Sequence, residues 1–402
     1  MKTKMKKLVC MALVVVMAMA CLAGCGSSSA PASDGGSEAA ETIKIGWLGP
    51  LTGGVAQYGE AVKSGVDLYI EQLNAAGGIN GKQVELVVYD EEGDATKAVT
   101  GYNSVMDEGA VAVIGSVTTA PTVAVVTEAF ADNTPMITAS ATAINVTYNA
   151  DEDMVYTNMF RSCFIDSFQG VTMARFAKEE LGAATAAVLY DNGDTYSTGV
   201  YEYFVNQCAE LGIQVVATES YASGSVDFSG QLTNIAAANP DVLFLPVYYN
   251  DVALIASQAS DAGITATMLG VDGWSSVLDS VSDPALVEGA YYCSGYSVED
   301  TRELVVNFLA DYAAKYDGKV SNMFGAQGYD AAWILCDAIA AAEASGAAYG
   351  SDEYKQAVID AMSATDSEYV TGHVSFDDHN DPQKTAAIIQ ITGGAESFWG
   401  NF

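Results

Sequence analysis

Two histidines are all the imidazole this chain carries. His373 and His379 both fall in the run Gly372-His373-Val374-Ser375-Phe376-Asp377-Asp378-His379. Imidazoles and carboxylates this close are the donor types of a zinc site, but a strand and turn with both rings in solvent fits the same spacing. No GxSxG elbow, GxxxxGK[ST] phosphate loop or HExxH helix occurs. Gly46, Gly49, Gly53 and Gly54 miss the GxGxxG spacing of a dinucleotide turn. Asp191-Asn192-Gly193-Asp194 starts like a calcium loop, yet Tyr196 stands where position six needs glycine. A turn after a strand is the expectation there. Paired carboxylates are so common in this chain that they single out no glycosidase. The chain therefore reads as a non-enzyme, with no catalytic residue, metal or cofactor.

A different chemistry is offered by two polar loops. Val113-Ile114-Gly115 runs into Ser116-Val117-Thr118-Thr119-Ala120-Pro121 and then an apolar helix, and Met136-Ile137-Thr138 runs into Ala139-Ser140-Ala141-Thr142. Open α/β sheets bind ligands at the C-terminal ends of their strands, where helix N-termini present free N–H groups to anions. Two hydroxyl-rich loops after neighbouring strands would hold one carboxylate. The same residues would also serve as plain helix N-caps. Both readings stand at the level of sequence.

The elements that must position these loops alternate along the chain. Strand-like runs cover residues 43–48, 84–89, 111–114 and 136–138, and a second series covers 186–190, 214–218, 242–247 and 267–270. Several are apolar at consecutive positions, as parallel strands covered on both faces are. Between them Tyr58, Val62, Val66, Tyr69 and Leu73 recur at helical spacing, as do Ala95, Ala98, Tyr102 and Val105, and later Leu304, Phe308, Tyr312 and Tyr316. Gly77-Gly78 stops the first of these helices. Strand–helix alternation in two series predicts two α/β lobes with parallel sheets.

The chain has 402 residues, half of them hydrophobic, enough for two or three domains. Against 51 acidic residues stand 16 basic ones. No basic footprint for nucleic acid exists, and the acidity reads as a solubilising surface. The apolar stretch 8–22 is shorter than the ~20 residues needed to span a bilayer. It follows Lys2, Lys4, Lys6 and Lys7 and ends in Leu22-Ala23-Gly24-Cys25, before a Ser/Gly-rich run. This resembles a bacterial lipobox, which implies a signal peptide over 1–24, acylation of Cys25 and a flexible tether over 25–41. Cys163, Cys208, Cys293 and Cys336 are widely spaced, and isolated buried thiols are expected of them.

The order of motifs carries a resemblance. It runs from Ile43-Lys44-Ile45-Gly46 and Gly53-Gly54-Val55-Ala56-Gln57-Tyr58-Gly59 through Asn74-Ala75-Ala76-Gly77-Gly78-Ile79-Asn80-Gly81, Tyr89-Asp90 and the two hydroxyl loops. Arg161, Asp166, Gln169-Gly170, Asp191 with Tyr196, Tyr248, Gly270-Val271-Asp272-Gly273 and Tyr329-Asp330-Ala331-Ala332 complete it. In this series the chain resembles the leucine/isoleucine/valine-binding proteins of ABC transporters, with the type I periplasmic-binding fold. The resemblance implies two Rossmann-like lobes joined by a three-crossing hinge near Ser162, Gly295 and Thr371. Residues 42–162 with 296–371 would form one lobe, and 163–295 with 372–402 the other. It further implies that Thr119, Thr142 and the backbone near Ser140 hold a ligand carboxylate, and that Asp272 meets its ammonium. Tyr196 and Tyr248 would close from the second lobe, while Tyr58 and Phe324 wall the side-chain pocket. The implied protein is a monomeric, lipid-anchored receptor outside the cell membrane. It would hand an amino acid to an ABC permease with its ATPase subunits. A sensory receptor of the same fold, or a binder of an amide or organic acid, is the alternative. A disulfide found in some relatives would fall at Gly93 and Thr118, so that bridge is missing.

Overall fold

The computed structural model describes residues 42–402, so Cys25, the signal segment 1–24 and the whole tether 25–41 lie outside the described residues. Ten α-helices and sixteen strands, numbered here in chain order, follow the expected alternation among these residues. The first sheet holds β1 (Ile43–Gly49), β2 (Val84–Asp90), β3 (Ala112–Ile114), β4 (Met136–Thr138) and β7 (Met159–Arg161), in the order β2-β1-β3-β4-β7. All its pairings are parallel. Two-residue strands β5 (Tyr148–Asn149) and β6 (Met154–Val155) make a separate small hairpin. Ile43, Ile45, Trp47 and Leu48 are all buried, which explains the unbroken apolar run of β1 in a sheet covered on both faces.

The second sheet holds β8 (Thr185–Asp191), β9 (Gln214–Tyr221), β10 (Val242–Phe244), β11 (Thr267–Gly270), β12 (Tyr291–Ser294), β15 (Ala387–Thr392) and β16 (Ala395–Asn401), in the order β16-β15-β12-β11-β10-β8-β9. Its first five strands in sequence pair in parallel, but β15 and β16 add an antiparallel edge. This antiparallel edge is an addition to the parallel sheet expected from the sequence. A two-residue turn at Gly393-Gly394 joins the last pair, where a parallel connection would need a dozen residues.

Helices α1 (Ala56–Ala75), α2 (Ala95–Asp107), α3 (Thr119–Ala131), α8 (Glu303–Lys315), α9 (Met323–Ser345) and α10 (Asp352–Ser363) accompany the first sheet, while α4 (Asp166–Glu179), α5 (Thr195–Leu211), α6 (Ser229–Ala238) and α7 (Tyr249–Asp261) accompany the second. Each sheet with its helices forms a lobe. α1 and α9 approach so closely that a Cβ on Gly65 would sit 1.9 Å from the Gly325 carbonyl oxygen. That contact places Tyr58 of α1 against Phe324 of α9, ring centroids 4.6 Å apart.

The chain leaves the first sheet after Arg161 and the second after Ser294, beside the expected Ser162 and Gly295. The third passage differs. β14 (Gly372–Ser375) pairs with β13 (Asp366–Tyr369), not with the second sheet. Beyond it Phe376 packs on Phe160, and Asn380 Nδ2 donates to the Met159 carbonyl at 3.0 Å. Asp381 pairs with the fully buried Arg161 guanidinium at 2.6 Å. The passage therefore lies between Asp381 and Ala387, because a buried arginine holds the preceding segment on the first lobe.

The four cysteines are free and buried. His373 lies on β14 and pairs with Asp366 and Glu368 at the surface, while His379 stacks on Tyr148. Among the described residues no group of three His, Cys, Asp or Glu side chains is placed to hold a metal. No described helix is long and apolar enough to cross a membrane.

Candidate functional site

Between the C-terminal ends of the two sheets lies a small, tightly closed cavity, lined by Tyr58, Val117, Thr118, Thr119, Ser140, Thr142, Tyr196, Tyr248, Asp272, Gly273 and Phe324. The eight residues singled out in the sequence all line this one space. Val117, Thr118 and Gly273 are additions, each within two positions of one of the eight.

The first lobe contributes the two hydroxyl loops, which are tied to each other. Thr138, the last residue of β4, donates its hydroxyl to the Ser116 carbonyl at 2.6 Å and accepts from the Ala141 N–H at 3.1 Å. Ser140 Oγ donates to the Val117 carbonyl at 2.7 Å. The Ser140 hydroxyl is thus spent on holding the loops together, and its N–H donates to Thr138 Oγ1 at 3.3 Å. The N-cap alternative fails at Thr118, which is the N-cap of α3 yet makes no side-chain cap bond. Pro121 in the first turn has no N–H to satisfy. The loops present hydroxyls and free helix-end N–H groups, which are donors for an anion without any fixed positive charge.

The second lobe contributes one carboxylate set among tyrosines. Asp272 follows β11 in a 3₁₀ turn, where Oδ1 accepts from Tyr196 Oη at 2.6 Å and from the Gly273 N–H at 2.9 Å. The Gln169 amide oxygen accepts from the Asp272 N–H at 2.9 Å. Burial pushes the Asp272 carboxyl up to about 6, against the lowering pull of Tyr196, Gln169 and Gly273. Tyr248 stacks face to face on Tyr196, centroids 4.9 Å apart and planes within 3°. Gly273 has to be a glycine, since a Cβ there would lie 2.8 Å from Tyr196 Oη and 2.9 Å from the Val247 carbonyl oxygen. Burial raises the Tyr58, Tyr196 and Tyr248 phenols well above their ordinary range, so all three stay protonated.

Two neighbours were not assigned a role in the sequence. Asp166, at the start of α4, is fully buried beside the Thr142 hydroxyl. Burial raises it well above the carboxylate range. Only its place in the motif series marked it. Asp191 is not a calcium ligand but a turn residue, its Oδ1 accepting from Gly193 N–H and Ser223 Oγ, while Asp194 caps α5.

The arrangement has donors at one end, a single carboxylate at the other, and aromatic walls between. That polarity suits a small zwitterion with an apolar side chain.

Comparison with known proteins bears on this site. A leucine-, isoleucine-, valine-, threonine- and alanine-binding protein of Pseudomonas aeruginosa is 35% identical over 238 residues, 59% of this chain and 62% of that protein. The chain thus spans less than two thirds of the length of the curated relatives it matches first. A leucine-binding protein from Thermotoga maritima superposes with TM-score 0.81 at 30% identity, covering 90% of this chain and 99% of that one. A branched-chain amino acid transporter substrate-binding protein from Streptococcus pneumoniae, solved with isoleucine, gives TM-score 0.79 at 30% identity over the same shares. The sequence profile described as periplasmic binding protein matches residues 42–395. With its two-sheet architecture and this match over nearly all the described residues, the chain belongs to the periplasmic binding protein family, whose members bind solutes and are not enzymes.

Proposed function

We propose that this protein captures a free amino acid with an apolar, branched side chain outside the cytoplasm and delivers it to an ABC permease. The observation that carries the reading is the polarity of the cavity. Thr119, Thr142 and the Ser140 backbone face the ligand carboxylate, Asp272 takes the ammonium, and Tyr58, Phe324 and Val117 surround the side chain. Tyr58 is committed to other bonds through its hydroxyl, so it offers the side-chain pocket mainly its ring. The lobes comprise residues 42–162 with 296–381 and residues 163–295 with 382–402, and they close on the ligand about the three passages. Cys25 is the acylated anchor, and the protein works as a monomer.

A thermal-shift screen of the purified domain against the common amino acids, followed by calorimetric titration, tests the ligand. Leucine, isoleucine and valine should raise the melting temperature most, because a ligand that binds only the native state stabilises it. Stabilisation by amides or organic acids alone would replace the amino acid with another solute. Cys25→Ala tests the anchor. Release from the membrane fraction or loss of processing is expected, and unchanged membrane retention would contradict acylation.

A further inference from the structure

Tyr249 does not line the cavity, yet it ties the lobes together. Its hydroxyl, at the first turn of α7 in the second lobe, donates to the Gly54 carbonyl at 3.0 Å and accepts from the Gln57 N–H at 3.3 Å, both in the first lobe. Tyr58 of the first lobe does the converse. Its hydroxyl donates to the Gly273 carbonyl at 2.5 Å and accepts from the Tyr249 N–H at 3.1 Å, both in the second lobe. The two rings meet edge to face, centroids 4.8 Å apart. Both residues are buried. Gln57 Nε2 to Ser280 Oγ at 3.3 Å and Asn322 Nδ2 to Ser276 Oγ at 3.0 Å add weaker ties along the same rim.

We infer that Tyr58 and Tyr249 form a reciprocal tyrosine latch that stabilises the closed state independently of the ligand, with Tyr249 as a positioning residue for capture. None of the latch bonds needs a ligand atom. Each hydroxyl uses one donor and one acceptor, so the latch forms only when the lobes reach one relative position. Opening breaks all four bonds together. A latch of this kind raises the fraction of binding-competent protein, and the apparent affinity of any ligand that requires closure scales with that fraction. Affinity is then set partly by Tyr249, which does not line the cavity. The inference rests on the lobe closure proposed above, though not on the ligand's identity.

Tyr249→Phe removes both Oη bonds and leaves the cavity lining intact. Losing two neutral hydrogen bonds should lower the closed-to-open ratio roughly 5- to 150-fold. Small-angle scattering of the ligand-free protein and calorimetric titration with L-leucine read this together. The latch predicts either a larger radius of gyration for ligand-free Tyr249→Phe or weaker leucine binding by that factor. Tyr221→Phe is the control, because its hydroxyl bonds Asp251 at 2.7 Å within the second lobe. It should lower the melting temperature without changing either readout. If Tyr249→Phe matches the parent in both readouts, or if Tyr221→Phe changes them equally, there is no latch. Should the parent not bind leucine at all, the amino-acid reading fails, and the ligand-free scattering alone decides the latch.

Discussion

The two halves of the cavity are built on opposite principles. The first-lobe half is neutral and internally tied: Thr138 and Ser140 bond Ser116, Val117 and Ala141, and α3 starts without a side-chain cap. The second-lobe half carries one buried carboxylate, Asp272, which burial pushes up to about 6. A backbone-and-hydroxyl half costs little to preorganise, because its groups are satisfied or half-satisfied before a ligand arrives. A buried carboxylate is costly until an ammonium joins it. In the proposed complex the neutral half would set where the ligand sits, and the charged half would decide whether it binds.

That contrast orders the expected effects. Asp272→Ala removes one partner of a buried charge pair, a loss of about 2–5 kcal/mol, or roughly 30-fold to several thousand-fold in affinity for the amino acid. Calorimetry checks it, and Asp272→Asn, which keeps an acceptor, should lose less. Next comes Tyr196→Phe, which strips a 2.6 Å hydrogen bond from the carboxylate. Bonds to charged groups contribute about 1.5–3 kcal/mol, so affinity should fall by roughly one to two orders of magnitude. Acid should act on the same group: as pH falls through about 6, Asp272 protonates and loses its attraction for the ammonium. A titration series from pH 8 to pH 5 should show binding weakening toward tenfold per pH unit below that value. Thr142→Ala, in the neutral half, should lose only several-fold, as a neutral hydrogen bond contributes about 0.5–1.5 kcal/mol. If the Thr142 and Asp272 substitutions cost the same, the division between the halves is wrong.

The smallest effect on affinity belongs to Asp166→Asn, whose signature is in stability. A carboxyl raised in the folded state contributes stability that is fully present below its unfolded value near 4 and lost as pH rises through its folded value. Asp166 is raised well above 3.8, and burial pushes Glu91 up to about 7. The parent protein should therefore lose stability from about pH 4 upward through pH 7. Asparagine cannot ionise, so Asp166→Asn should flatten that slope in a pH series of thermal melts. Parallel slopes would contradict a raised Asp166 carboxyl.

The sequence carried the repeating strands well, because parallel strands buried on both faces leave apolar runs such as those of β1 and β8. It did not carry β7, β12, β15 and β16. β7 (Met-Phe-Arg) ends on a charged residue and β12 (Tyr-Tyr-Cys-Ser) on a polar one, so neither reads as the apolar run that marks β3, which is as short. β16 alternates polar and half-exposed residues, as an edge strand does. The pairing of Arg161 with Asp381, which holds the segment beyond Thr371 against the first sheet, spans 220 positions and leaves no local signal in the sequence. The lining residues were legible through motif order and resemblance, not through composition. Tyr248 and Tyr249 show the limit: adjacent and identical in type, one faces the cavity and the other crosses to Gly54. Only the docking of α7 against the loop before α1 separates them.

The central claim is that Asp272 reads the ammonium, and it is tested most directly by comparing L-leucine with 4-methylpentanoate, the same molecule without its amino group. Calorimetric titration of the parent and of Asp272→Ala with both ligands gives two affinity ratios. The parent should prefer leucine by at least about 30-fold, and the variant should lose most of that preference. An unchanged ratio in Asp272→Ala would contradict the account, because discrimination would then reside elsewhere than in the charged half of the cavity.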